Sequence, residues 1–166
     1  LLAQDPKGLV FDLRYNSGGY LTTAIDVLSQ FIADGVVMYE QQGNGEVLTF
    51  NAKPGGLATE IPLVVLVNEG SASASEITAG AIQDLKRGII VGTQTYGKGS
   101  VQNWIPLQQD QGAVRITIAR WLTPHRRQIS EVGLTPDIIV EITEEDFAAG
   151  KDPQLEKAVE ILLQGE

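Results

Sequence analysis

The most strand-like segment of the chain is residues 62–67 (PLVVLV), an uninterrupted apolar run that ends at the turn residues 68–70 (NEG). Apolar residues at helical spacing follow this turn and predict a helix that reaches about Lys86. The start of the chain has the same order: residues 8–13 (GLVFDL) predict a buried strand, and residues 20–33 predict a helix after a glycine-rich turn. Alternating strands and helices predict an α/β fold with a largely parallel central sheet.

The remaining segments fit the same class of fold. They are predicted to be two strands of a polar hairpin (36–39 and 47–50), a short strand (89–91), two alternating strands (100–107 and 114–122) with a turn near 109–112, and a last helix (153–163). We find no internal repeat and no low-complexity linker. A length of 166 residues therefore predicts one domain with a core of its own.

Composition limits the partners and the chemistry. The chain carries 21 acidic and 12 basic residues, a net charge of −9. This balance disfavours nucleic acid and anionic membrane surfaces, because both are bound chiefly through lysine and arginine. Cysteine is absent, so disulfides, thiol catalysis and thiolate metal sites are excluded. No apolar run reaches the roughly 18 residues that a membrane span requires, so we expect no span.

Residues 70–76 (GSASASE) connect the strongest strand to its helix and contain the first candidate catalytic residue. Ser73 and Glu76 have the spacing of a capping box, which by itself is the commoner interpretation of such a pair. The alternative is that Ser73 is a nucleophile at the positive end of the helix, where developing negative charge is stabilised. The segment does not match the G-x-S-x-G nucleophile elbow.

Lys98 lies between two glycines in residues 95–102 (TYGKGSVQ), and glycine permits a close backbone approach. In an extended segment Lys98, Ser100 and Gln102 point to the same side, so the Gln102 carbonyl oxygen could hold the lysine amine. A lysine acts as a base only when its surroundings lower its pKa by several units. Taken alone, a solvated loop lysine is the commoner interpretation.

The same stretch contains a misleading motif. Residues 92–98 satisfy G-x-x-x-x-G-K after a strand, which is the beginning of a phosphate-binding loop. The next residue should be Ser or Thr to hold magnesium, and here it is Gly99. A helix should also follow, to point its amides at the phosphate, whereas residues 100–105 alternate like a strand. Nucleotide binding is therefore disfavoured.

Two further groups of residues stand at the end of the first strand. Residues 16–19 (NSGG) could supply a backbone amide for an oxyanion, although a glycine-rich turn is the commoner role of such a pair. Asp12 and Arg14 share one face, and we expect them to pair with each other or with Glu76. Such pairing would orient the site or only stabilise the turn.

The single histidine, His125, lies in the charged turn of residues 123–127 (TPHRR). A solvated loop histidine is much the better interpretation of that setting. A Ser-His triad would also need a carboxylate, and no motif supplies one.

Taken in order, these segments resemble the carboxyl-terminal processing (tail-specific) proteases. The motifs that carry the resemblance are residues 12–19 (DLRYNSGG), 70–77 (GSASASEI), 97–102 (GKGSVQ), 120–124 (RWLTP) and 133–137 (GLTPD). They cover nearly the whole chain. Their number and order make the resemblance specific where each motif alone would be weak.

The resemblance implies roles for individual residues. The middle serine of the SASAS segment, here Ser73, is the nucleophile; the lysine of the GKG motif, here Lys98, is the base; and Gln102 orients that lysine. An oxyanion hole is implied between the Ala74 amide and a glycine amide of the Gly-Gly turn. Either Gly18 or Gly19 could supply the second amide.

The resemblance also implies the wider setting. The fold is expected to be the ClpP/crotonase-like core of strand-strand-helix units. The expected partners are protein or peptide substrates with free C-termini, which are cut near those ends. The expected location is outside the cytoplasm, in the periplasm, cell envelope or thylakoid lumen. No metal or cofactor is expected. Residues 1–166 are expected to form one catalytic domain that begins inside a larger protein and does not include the upstream PDZ domain of the family. Whether the chain is a monomer or a homodimer is left open.

Overall fold

The computed structural model describes residues 2–108 and 111–164, and its strands form two four-stranded sheets. The elements are a 3-10 helix (Leu2–Gln4), β1 (Leu9–Asp12), α1 (Leu21–Phe31), β2 (Val36–Gln42), β3 (Val47–Asn51), β4 (Leu63–Val67), α2 (Ala74–Asp84), β5 (Ile89–Gly92), β6 (Ser100–Pro106), β7 (Ala113–Leu122), β8 (Ile138–Ile139), α3 (Glu144–Ala148) and α4 (Pro153–Gln164).

The first sheet has the strand order β1-β4-β5-β8, and all of its pairs are parallel. Its centre is β4, whose five residues are all buried. Val65 packs with α1 and α2 on one side of the sheet, while Val64 and Leu66 pack with Ala158 of α4 on the other. Helices on both faces explain the uninterrupted apolar run, because a strand covered on both sides exposes no residue to water. The predicted α/β fold with a central parallel sheet is confirmed.

The second sheet is antiparallel, with the order β3-β2-β7-β6. The predicted hairpin is confirmed by β2 and β3, and the two predicted alternating strands are confirmed by β6 and β7. Of the turn predicted between β6 and β7, Gln109 and Asp110 lie outside the described residues. The sheet matters for function because β6 begins two residues after Lys98.

Two short elements were not predicted. Strand β8 has two residues and α3 has five, and segments so short carry no periodicity that distinguishes them from loops. In residues 2–108 and 111–164, no helix is both long enough and apolar enough to cross a bilayer.

Candidate active site

Ser73 occupies the turn between β4 and α2, and its backbone is strained. Its φ of 55° and ψ of −115° lie in a region that residues with a Cβ atom rarely adopt. Such conformations cost about 1–3 kcal/mol and persist only where the surrounding structure imposes them. A strained strand-to-helix turn is also how nucleophile elbows expose a serine hydroxyl, although the sequence here lacks their glycine pattern.

The carboxylate of Glu76 holds this turn against the loop that carries Lys98. Glu76 is fully buried, and its Oε2 accepts the backbone N–H of Ser73 and of Lys98 at 2.9 Å each. Its Oε1 accepts the Gly97 N–H at 2.7 Å and the Thr95 hydroxyl at 2.5 Å. Four donors therefore converge on one side chain, and the two candidate catalytic segments are joined through it.

The capping-box interpretation of Ser73 and Glu76 describes only part of this arrangement. The two residues do have the capping-box arrangement, but the Ser73 hydroxyl makes no side-chain hydrogen bond that caps the helix. The contact with the helix amide therefore falls short of hydrogen-bond geometry. The hydroxyl is left available to a ligand. Glu76 accepts hydrogen bonds from both the Ser73 turn and the loop that carries Lys98.

Glycines flank Lys98 because the polypeptide backbone passes close to another segment there. A Cβ atom on Gly97, whose φ is +90°, would lie 2.9 Å from the Gly133 nitrogen, and one on Gly99 would lie 2.7 Å from the Ser130 nitrogen. Trp121 of β7 donates its indole N–H to the Lys98 carbonyl oxygen at 2.9 Å. The backbone of Lys98 is thus fixed from several directions, and its side chain is left to face the cavity.

Ser73, Lys98 and Gln102 line one cavity of about 360 Å³. The other lining residues are Gly19, Tyr20, Leu21, Ile77, Ser100, Val101, Trp104, Arg115 and Trp121. Lys98 and Arg115 are the charged residues of this wall, and none of the described residues that line it is Asp or Glu. The nucleophile, base and orienting residue named from the sequence therefore share a single concave site.

The hydrogen bonds of a working dyad are absent from the unliganded geometry. Within residues 2–108 and 111–164, no hydrogen bond links the Lys98 amine to the Ser73 hydroxyl or to Gln102. The Gln102 side-chain oxygen instead accepts the Nε–H of Arg115. Catalytic hydrogen bonds are often long before substrate binds, so the roles of these three residues stay predictions.

The glycine turn lies directly beside Ser73. A Cβ atom on Gly18, whose φ is +97°, would lie 2.6 Å from the Ala72 oxygen and 2.7 Å from the Ala74 nitrogen. The Gly18 amide donates to Asn16 Oδ1 at 2.9 Å. In the part of the chain that the structure describes, the amides of Gly19 and Ala74 have no acceptor. Of the two glycines, Gly18 therefore has the engaged amide and Gly19 the one without an acceptor among the described residues.

Gly18, Gly19 and Ala74 also line a second, smaller cavity of about 140 Å³. Most of its other lining residues are apolar: Phe11, Leu13, Tyr20, Ala24 and Val27, with Thr23, Ser75, Thr78 and Asn16. An apolar recess beside a strained serine can accept the side chain of a bound peptide.

Asp12 and Arg14 form a separate cluster of charges. The Arg14 guanidinium donates to Asp12 at 2.7 Å and to Asp152 at 2.8 Å, and a further bond reaches Gln154 at 3.1 Å. Of the two pairings left open by the sequence, Asp12 with Arg14 is the one formed, and Glu76 takes no part. Arg14 lowers the pKa of Asp152 by this hydrogen bond, and the pKa of Arg14 is raised by Asp12 and Asp152.

His125 is 63% exposed, donates its backbone N–H to Asp84, and does not line the cavity that contains Ser73. It is a surface histidine, as its charged turn predicts. In residues 2–108 and 111–164 there is also no group of three His, Cys, Asp or Glu side chains that could hold a metal ion.

Sequence reasoning missed the residues that act through tertiary contacts. Thr95, Trp121 and Arg115 had been noted only as parts of motifs or strands, yet they contact Glu76, Lys98 and Gln102 respectively. Asp152 lies 138 positions from the arginine it binds. Only pairing across the folded chain brings these groups together, so no local signal could have identified them.

The α/β core thus carries a strained serine at a helix start, and a lysine lines the same cavity. Peptidase family S41 matches residues 1–140. A carboxy-terminal-processing protease from Bartonella bacilliformis is 51% identical over 136 residues, 81% of this chain and 31% of that protein. The chloroplastic carboxyl-terminal-processing peptidase 3 of Arabidopsis thaliana is 42% identical over 136 residues, 81% of this chain and 26% of that protein.

The solved structure of a photosystem II D1 C-terminal processing protease superimposes with a TM-score of 0.78 at 36% identity. The match covers 89% of this chain and 38% of that one. The chain therefore belongs to peptidase family S41, which confirms the resemblance found in the motifs. It spans 31% or less of the length of these two curated relatives.

Proposed function

We propose that the full-length protein is a serine endopeptidase that cleaves protein substrates near their C-termini, with Ser73 as nucleophile and Lys98 as base. The observation that carries the proposal is the strained Ser73 turn at the start of α2, opening into the cavity that Lys98 also lines. Family membership supports the same chemistry. The helix start favours negative charge that develops at this position.

The reaction is an acyl transfer through a covalent intermediate. Uncharged Lys98 accepts the Ser73 hydroxyl proton as the serine oxygen bonds to the peptide carbonyl carbon. The C–N bond then breaks, and Lys98 returns the proton to the leaving amine. Water attacks the resulting ester with Lys98 again accepting a proton, and Ser73 recovers its hydroxyl as the carboxylic acid leaves.

Two amides stabilise the oxyanion in this proposal. Ala74 is the first residue of α2, and Gly19 lines the same cavity. Both amides lack an acceptor among the described residues, so they can donate without breaking an existing bond. Preorganised donors of this kind typically contribute about 3–4 kcal/mol to the transition state.

Gln102 orients Lys98 in the working enzyme. Its side-chain oxygen is engaged by Arg115 in the unliganded structure. Gln102 must therefore change partner before it can hold the lysine amine. Gln102 and Lys98 line the same cavity, where this exchange would take place.

A non-catalytic peptide-binding module is the competing function, and product analysis separates the two. Full-length protein is incubated with casein and with a protein carrying an apolar C-terminal tail, and the fragments are identified by mass spectrometry. The proposal predicts new C-termini in both substrates and none with Ser73→Ala. Binding of the tail without any cleavage by the wild-type protein would overturn it.

Nucleotide binding gains no support from the G-x-x-x-x-G-K motif. The amides of Gly97 and Lys98 would have to face a phosphate, but both donate to the Glu76 carboxylate. A strand, β6, follows the motif where a phosphate-binding loop requires a helix.

We also propose that the full-length protein works outside the cytoplasm, in the periplasm, cell envelope or thylakoid lumen. One relative is named as chloroplastic. Cell fractionation with an antibody to the native protein tests this location, and recovery in the cytosolic fraction alone would contradict it.

A further inference from the structure

Arg115 lines the cavity that contains Ser73, Lys98 and Gln102, and the proposed reaction gives it no role. It stands on β7 opposite Trp104 of β6, and its guanidinium carbon lies 5.9 Å from the centre of the Trp104 ring. Its Nε–H donates to Gln102. In residues 2–108 and 111–164 it forms no ion pair with an acidic side chain, and its two terminal nitrogens have no hydrogen-bond acceptor.

The charge balance makes this arginine unusual. Acidic residues outnumber basic ones 21 to 12 in the chain, yet Arg115 lines a cavity whose described wall has no carboxylate. An unpaired guanidinium in a concave site attracts a ligand of the opposite sign. The planar fork of a guanidinium matches a carboxylate in particular, through two parallel hydrogen bonds.

Two contacts orient the exposed Arg115 side chain. Its guanidinium lies over the Trp104 ring and its Nε–H donates to Gln102, and such contacts reduce the entropy lost when a ligand binds. The neutral Gln102 oxygen engages only Nε and leaves the terminal nitrogens for a ligand. Because carboxylates accept stronger hydrogen bonds from arginine than amide oxygens do, a carboxylate can also displace Gln102.

We propose that Arg115 binds a carboxylate of the substrate and so selects acidic or C-terminal groups at a fixed distance from the cut bond. This inference rests on the proposed function, since it concerns the same cavity.

Displacement of Gln102 has a further consequence. A carboxylate that takes Arg115 releases the Gln102 oxygen, and that oxygen is the group required to orient Lys98. The same ligand contact would therefore contribute to both binding and alignment of the base.

The test uses four peptides of one sequence and two readouts. One has a free C-terminal carboxylate, one a C-terminal amide, and two carry Asp or Asn near the amidated end. Binding is measured by fluorescence anisotropy to full-length Ser73→Ala, and kcat/KM is measured with full-length protein. Arg115→Gln and Arg115→Lys are compared with Arg120→Gln, which changes an arginine of the same strand that does not line the cavity.

We expect at least one carboxylate peptide to bind about tenfold or more tightly than its amide partner. This preference should disappear in Arg115→Gln, fall in Arg115→Lys and persist in Arg120→Gln. The terminal pair and the Asp/Asn pair show whether the carboxylate is the chain end or a side chain. Equal binding of all four peptides, or a preference that survives in Arg115→Gln, would overturn the proposal. The binding readout does not need cleavage, so it answers even if the peptidase proposal fails.

Discussion

The backbone amides of Ser73 and Lys98 donate to the same carboxylate oxygen, Oε2 of Glu76, at 2.9 Å each. The two residues are 25 positions apart in sequence: Ser73 lies between β4 and α2, and Lys98 lies between β5 and β6. One buried acceptor nevertheless binds both backbone amides. Glu76 is in this sense a positioning residue, since it contacts the backbone that carries the reacting groups.

Replacing Glu76 by glutamine should therefore damage both stability and turnover. The glutamine side chain has an NH2 group in place of one carboxylate oxygen, and this NH2 group would face backbone N–H groups. At least one buried backbone N–H group therefore loses its acceptor. We expect a loss of about 2–4 kcal/mol in the free energy of unfolding and a fall of roughly tenfold or more in kcat. Urea denaturation and peptide turnover measure the two effects. The same change at the exposed Glu141 should leave both within error, and a fully active Glu76→Gln would refute the positioning role.

Gly18→Ala should disturb the nucleophile turn. The added Cβ would meet the Ala72 oxygen at 2.6 Å and the Ala74 nitrogen at 2.7 Å, at a φ of +97° that disfavours alanine. Ser73 and the amide of Ala74, the proposed oxyanion donor, would move together, so we expect a loss of about 100-fold in kcat/KM. Gly43→Ala is the matched control, because its Cβ would meet only the Ile118 oxygen, at 3.8 Å. Steady-state kinetics of both variants decide the matter, and equal activities would contradict the account.

Asp152→Asn should remove a pH-dependent part of the stability. Arg14 lowers the pKa of Asp152 in the folded protein, whereas the unfolded value is about 3.9. The stabilisation is therefore fully present above the unfolded pKa and is lost as the pH falls through the lower folded value. The single oxygen of asparagine can keep the cap that Asp152 provides to the Leu155 amide of α4. The substitution removes the negative charge and one of the two hydrogen bonds from Arg14.

At pH 7 we expect Asp152→Asn to lose about 1 kcal/mol after allowance for solvent screening, because Asp152 is partly exposed. Denaturant titrations at pH 7 and near pH 3 should show this difference shrinking at the lower pH. Asp34→Asn, an exposed change on a loop, should show no such trend. A difference between wild type and Asp152→Asn that stays constant over this range would mean that the charge of Asp152 contributes nothing.

Local patterns were sufficient to predict the strands and helices of the core. The buried run of β4, the alternation of β6 and β7 and the helical spacing of α1, α2 and α4 all reflect which faces are covered. The short elements β8 and α3 gave no such pattern. Their positions depend on contacts made elsewhere in the chain.

The candidate site was predictable as a set of residues but not as a set of contacts. Ser73 and Lys98 were named from motifs, and the cavity that they share follows from the fold. The role of Glu76 beyond a helix cap was not predictable, because its donors Gly97 and Lys98 come from a loop about 20 residues downstream. The choice of Asp152 as a partner of Arg14, and of Arg115 for Gln102, likewise needed the tertiary structure.

The central claim is that Ser73 and Lys98 carry out peptide cleavage, and turnover of a protein substrate by matched variants of the full-length protein tests it most directly. We predict that Ser73→Ala and Lys98→Ala each lower kcat by at least about 10³-fold with unchanged circular dichroism and unfolding midpoint. Lys151→Ala, which removes an exposed lysine outside the cavity, should keep full activity. Retention of most of the wild-type activity by either Ser73→Ala or Lys98→Ala would contradict the assignment.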